Sequence, residues 1–182
     1  MPFAPFSDFY LDLAKREIRT ATVCEGDDVL PADTYAFFEM YCDEPGCDCR
    51  RVFFTVISER LRKPLAVVAY GWESLDFYRR WMKGAPVDPK LLQGPILDPG
   101  SPQSKYAPAL LSLIDDVVLA DPAYVERLKR HYRMVRDVVD RNAPRGSVPV
   151  PDRRLDAAER KRILAAKMRE LQARRSQKKR AR

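Results

Sequence analysis

Two runs of strand-forming residues, TYAFFEMY (Thr34–Tyr41) and RVFFTVIS (Arg51–Ser58), flank a loop that carries Cys42, Cys47 and Cys49 within the stretch YCDEPGCDCRRVFF. Aromatic and β-branched residues dominate both runs, which marks them as strands. A connection this short joins antiparallel neighbours, because a parallel pair needs a long crossover. Pro45-Gly46 supplies the tight bend. The expected unit is a hairpin with three thiols at its tip, and the rest of the chain must pack on it.

The flanking sequence extends the sheet. EIRTATV (Glu17–Val23) alternates polar and apolar residues, and LAVVAYGW (Leu65–Trp72) is a further β-rich run. Ser7 is placed to cap a helix over Asp8–Arg16, with Tyr10, Leu11 and Leu13 as its apolar contacts. After Trp72 the character changes. ESLDFYRRWMKG reads as a short helix ended by Gly84. The proline-dense stretch from Pro86 to Pro108 reads as irregular. A helix is predicted over Ser104–Ala120, with Leu110, Leu111, Ile114, Val117 and Val118 at helical spacing. Asp121-Pro122 then starts a strong helix to Arg141. Its buried stripe is Val125, Leu128, Tyr132, Val135 and Val139. The predicted class is α+β: a small antiparallel sheet with a cysteine-bearing hairpin, packed by C-terminal helices, plus a basic helical tail.

Charge divides the chain. The net charge is +7, yet residues 144–182 hold 14 Lys and Arg against 4 Asp and Glu, leaving 19 against 22 in residues 1–143. The expected organisation is a zinc-stapled α+β domain over 1–143, a linker over 144–155 and a basic helical tail over 156–182. An Asp156-x-x-Glu159 capping box opens the tail helix, predicted over Ala157–Ala173. The Met1–Tyr10 segment lacks a basic start and an apolar run of signal length, and no stretch reaches the ~18–20 apolar residues of a membrane span. A cytoplasmic, reducing location is therefore expected, where cysteines serve as thiols or metal ligands rather than disulfides.

Three soft ligands on a polar loop point to Zn2+, whose structural sites take four ligands in a tetrahedron. Three are local. The fourth is His131, the only histidine, which borders the buried stripe of its helix, or Cys24, at the end of the first strand. Arg50 and Arg51 are placed to offset the negative charge of such a site, while Asp43 and Asp48 oppose it unless they bind backbone donors or those arginines. The competing reading is reduced, unliganded thiols, with His131 as a core-edge histidine bonded to a carbonyl.

The segments LPADTYAFFEMYCDEPGCDCRRVFFTV and QSKYAPALLSLIDDVVLADPAYVERLKRHY resemble a bacterial family of uncharacterised zinc-containing proteins. Its fixed features are a Cys-Asp-Cys-Arg-Arg segment and a distal Arg-His-Tyr segment. The resemblance implies a metal set of Cys42, Cys47, Cys49 and His131. Some relatives end in a second cysteine-rich motif of the SEC-C type, where this chain has its basic tail. The family brings no activity.

Three functions compete. In the first, a non-enzymatic zinc-binding body carries an arm that binds nucleic acid, ribosomal RNA being one such ligand. Arg160, Lys161, Arg162, Lys167, Arg169, Arg174, Arg175, Lys178, Lys179 and Arg180 would meet phosphates, with strong salt dependence. In the second, the chain is a protein-interaction module. It would use the tail stripe Leu164, Met168 and Leu171, or the aromatic helix with Trp72, Phe77, Tyr78 and Trp81. In the third, three ligands plus water form a hydrolase or deaminase-like site with Glu44 as proton shuttle. Against it, Pro45-Gly46-Cys47-Asp48-Cys49 lacks the deaminase spacing, and no P-loop or nucleophile elbow is present.

Overall fold

The structure, a computed structural model, describes residues 3–26, 29–83 and 88–143, all inside one compact unit, Met1–Ser147. The predicted linker, tail helix and basic residues of the arm lie outside the described residues.

A six-stranded antiparallel sheet forms the body. Its strands are β1 (Phe3–Pro5), β2 (Arg19–Val23), β3 (Asp33–Cys42), β4 (Arg51–Ser58), β5 (Lys63–Gly71) and β6 (Ile96–Leu97). The order β1-β3-β4-β5-β6 places β3 and β4 at the centre. One edge of β3 serves two partners end to end: β1 pairs with its last residues, Phe3 opposite Cys42, and β2 with its first half, Arg19 opposite Phe37. Strand alternation sends Tyr35, Phe37, Glu39 and Tyr41 to one face, and all four are buried. Phe54 and Val56 of β4 and Val68 of β5 join them through the register.

Helices pack around the sheet. They are α1 (Phe6–Phe9), α2 (Leu11–Glu17), α3 (Leu75–Met82), α4 (Ala107–Leu113) and α5 (Pro122–Asn142). The cap on α5 is the expected one: Asp121 Oδ1 accepts from the backbone N–H of Ala123 at 3.0 Å. Leu128, Val135 and Val139 of its stripe are buried in the core with Leu110 and Ile114. Each fully buried aliphatic side chain contributes about 1.5–3 kcal/mol by leaving water. No described helix is long and apolar enough to cross a membrane.

Several boundaries differ from the sequence expectation, each for a local reason. Ser7 caps nothing; it lies inside α1, and the chain breaks at Tyr10 (φ −141°, ψ 67°) before α2 begins. Long-range contacts impose that break. Phe6 is buried and stacks on the His131 ring at 4.1 Å, and the Tyr10 hydroxyl donates to the Met134 carbonyl at 3.3 Å. Glu17 ends α2 instead of opening β2. The left-handed residue after α3 is Lys83, φ 46°. The proline-dense stretch hides β6, which pairs Leu97 with Val68. Two residues are too few to show alternation. The helix expected to begin at Ser104 begins at Ala107 and passes into a π-helical turn over Ile114–Val118.

Candidate metal centre

The sulfurs of Cys42, Cys47 and Cys49 lie within 4.8 Å of one another. A tetrahedral set with bonds of ~2.3 Å has sulfurs about 3.8 Å apart, so a small inward shift closes the site. Three soft donors in this arrangement could hold a metal ion. Cys42 ends β3, Cys49 lies just before β4, and both are buried; Cys47 is half-buried between them. The loop turns at Glu44–Cys47, where the Cys47 N–H donates to the Glu44 carbonyl at 3.2 Å and Gly46 takes φ 71°. Glycine carries that backbone at little cost.

The three thiols titrate as a set. Cys42 is pulled down to about 3, first by the Cys47 thiol donating to it and then by that of Cys49. The nearby Arg136 guanidinium adds to this, and partial burial works against it. Cys47 is pushed up to about 11, because its proton is shared with Cys42. Cys49 is pushed far up by its bonds to Cys42 and Cys47 and by burial. One thiolate thus forms readily and the next two are resisted, since each added negative charge sits beside the first. A bound cation removes that resistance.

Helix α5 grips the loop from one side. Tyr132, Arg136 and Asp140 recur every fourth residue and so share a face. Arg136 donates to the carbonyls of Cys42 at 3.2 Å and Glu44 at 2.8 Å. Asp140 Oδ1 accepts from the Gly46 N–H at 2.8 Å and pairs with Arg136. The Tyr132 hydroxyl meets Asp48 Oδ1 at 3.3 Å and accepts from the Arg50 N–H at 3.4 Å. Arg136 and Asp140 were not among the residues that the sequence pattern nominated. Their signal was present, as polar residues in phase with the apolar stripe of α5.

Arg50 and Arg51 have separate tasks. Arg50 holds Asp48 with two bonds, of 2.9 and 3.0 Å, reaches Glu73 at 3.0 Å and lies 4.6 Å over the Phe77 ring. Its φ of 47°, unusual for a side chain with a Cβ, aims it there. Asp48 is thereby neutralised by Arg50. Arg51 is buried and lies over Phe53, and burial pulls its guanidinium below its ordinary value. Asp43 Oδ1 is a buried acceptor with no hydrogen-bond partner.

Neither expected fourth ligand reaches the sulfurs. Cys24 is exposed and follows Val23, which pairs with Asp33 at the far end of β3. At ~3.3 Å per residue, nine residues of strand put Asp33 about 30 Å from Cys42. His131, expected as a ligand, has both ring nitrogens engaged elsewhere: Nδ1 meets Glu39 Oε2 at 2.7 Å, and Nε2 meets Glu17 Oε2 at 3.0 Å. It is one residue from Tyr132, so it points about 100° away around α5 from the face that grips the loop. The Tyr41 hydroxyl donates to Glu39 Oε2 at 2.8 Å and that of Tyr124 to Oε1 at 3.4 Å. Burial, followed by the charge of Glu39, raises both phenols well above their ordinary value. Glu39 escaped the sequence reading, although its position in phase with Tyr35, Phe37 and Tyr41 marked it as inward. A carboxylate there needs a buried partner, and the chain has one histidine.

In the aromatic group after β5, Tyr78 is fully buried, Trp72 packs edge-on against Tyr132 at 5.3 Å, and Trp81 is 37% exposed. Comparison with known proteins finds no matching family model, no matching curated protein and no matching solved structure.

Proposed function

We propose that the protein is a non-enzymatic zinc-binding protein whose metal ties the β3–β4 loop together through Cys42, Cys47 and Cys49. The observation that carries this reading is the convergence of three sulfurs, within 4.8 Å, on one loop. Zinc is favoured over harder divalent ions because thiolates are soft donors, and over redox-active ions because a structural role needs only fixed geometry. A cytoplasmic, reducing setting suits such thiolates. Asp43, next to Cys42, has a buried Oδ1 without a hydrogen-bond partner, but among the described residues no carboxylate oxygen joins the three sulfurs within 4.8 Å of one another. The structural reading is preferred to the hydrolytic one for a chemical reason. The only histidine is taken by Glu39 and Glu17, and Glu44, the proposed proton shuttle, is exposed and offers its backbone carbonyl to Arg136. Elemental analysis of protein purified without a metal-affinity tag should find about one zinc per chain. Protein that carries no stoichiometric zinc as purified and gains no stability when zinc is added overturns the proposal.

The same body is proposed to carry a nucleic-acid-binding arm, a reading supported by the net +10 of residues 144–182 against −3 in the rest. RNA is the first ligand to test. Several neutralised phosphates release counterions, so raising salt from 50 to 200 mM should weaken binding of a mixed-sequence RNA about 10³-fold or more. Removing residues 144–182 should abolish it and leave zinc content unchanged. Equal RNA binding with and without those residues removes this part of the proposal. It leaves docking by Leu164, Met168 and Leu171 on a protein partner as the reading to pursue.

A further inference from the structure

A second feature of the molecule is independent of the cysteines. The strands β1 and β2 share one edge of β3, but they do not meet. The pairing of β1 stops at Pro5 opposite Met40, and that of β2 starts at Arg19 opposite Phe37. Phe38 and Glu39 therefore have no strand partner on that edge. The chain between β1 and β2, which is α1 and α2, arches over the gap. A cavity of about 410 Å³ lies beneath it, partly open to solvent. That volume falls in the ~300–1,000 Å³ range of sites for small ligands.

The wall is apolar. Phe6, Leu11, Ala14, Ile18 and Phe38 line it. Leu11 and Phe38 are left 54% and 41% exposed although both are large and apolar. Both lie on the same cavity, so one apolar occupant would cover them together. The polar groups are few. Glu39 is saturated by His131, Tyr41 and Tyr124. Glu17 is taken up by Arg130, by His131 at 3.0 Å and by Arg127 at 3.9 Å. Neither carboxylate is left to receive a cation. Lys15 is the remaining charged group of the lining, and among the described residues it forms no hydrogen bond or ion pair. It is exposed, on α2, at the open side.

We propose that this cavity binds a small monoanion with an apolar body, of the medium-chain carboxylate class. The chain would lie along Phe6, Ile18 and Phe38, and the carboxylate would meet the Lys15 ammonium. The unpaired ammonium beside two satisfied carboxylates selects an anionic head over a cationic one.

Decanoate, decanol and decylamine, titrated calorimetrically into the full-length protein below their aggregation limits, test the assignment. One decanoate per chain should bind saturably, and more tightly than decylamine. Lys15→Glu, at an exposed site, should weaken decanoate about fivefold, the size of a partly solvated ion pair, and leave decanol unchanged. Ala14→Trp should block all three by filling the cavity. The basic arm is present in every variant, so binding driven by the arm would survive Ala14→Trp and overturn the proposal. A preference for decylamine, or decanoate binding indifferent to Lys15→Glu, would overturn it equally.

Discussion

Replacing Cys47 or Cys49 with Ser should remove the zinc proposed for the β3–β4 loop and should lower the stability of the zinc-loaded protein by about 3–4 kcal/mol when free zinc is 100–1,000 times its dissociation constant. The physical cause is linkage. The proposed metal would bind the folded loop, where three sulfurs lie within 4.8 Å, and would have no preformed site in the unfolded chain. A hydroxyl is a poor substitute for a thiolate, so two remaining sulfurs do not hold the ion. The fold itself should survive, since α5 grips the loop through Arg136, Asp140 and Tyr132 without the metal. A chelator should therefore reproduce the loss in wild type and do nothing to the variants. Cys24→Ser should leave zinc content unchanged. Zinc content by elemental analysis and unfolding in denaturant, with and without chelator, give the answer. Full zinc retention in both cysteine variants would rule out the site.

His131→Ala should cost about 3–5 kcal/mol of stability and leave zinc content intact. Its ring bridges Glu39 and Glu17, and it is 1% exposed while Glu39 is 8% exposed. Removing one partner strands the carboxylate of Glu39 in the core, held only by the hydroxyls of Tyr41 and Tyr124. An unpaired buried charge is penalised far more than the pair itself stabilises. Adding Glu39→Gln to His131→Ala should recover part of the loss, because an uncharged amide still accepts from the Tyr41 hydroxyl and leaves no buried charge. The two substitutions should be clearly non-additive, as expected for neighbours in one network. Loss of zinc from His131→Ala with stability unchanged would return His131 to the metal.

The two predictions separate features that the sequence joined. In the chain, Cys42-x4-Cys47-x-Cys49 and a single histidine look like three quarters of a zinc site and its completion. The three cysteines are legible because they are local: a short hairpin tip forces them together whatever the rest of the chain does. Strands β3 and β4 are legible for a related reason, since their aromatic and β-branched residues prefer a pleated surface. The capped start of α5 is equally local, with Asp121 and Pro122 adjacent in the chain.

His131 could be placed on an inward-facing helix surface from its spacing, but not assigned a partner. The rotation of α5 about its axis decides that, and packing against β3 sets the rotation. Tyr124, Leu128 and Tyr132 bury against the sheet, which turns His131 toward Glu39 and Glu17, and Arg136 and Asp140 toward the loop. The split of the N-terminal helix at Tyr10 was hidden for the same reason, because its cause is Phe6 on His131 and Tyr10 on Met134, far away in sequence. The sequence alone determined the thiol-bearing hairpin, the α5 start and the charge division, each an effect within a few residues or of composition. The tertiary structure alone decided the buried carboxylate–histidine bridge, the grip of α5 on the loop and the cavity at the break in the β3 edge. Those depend on which side chains meet after helices turn and strands choose their register.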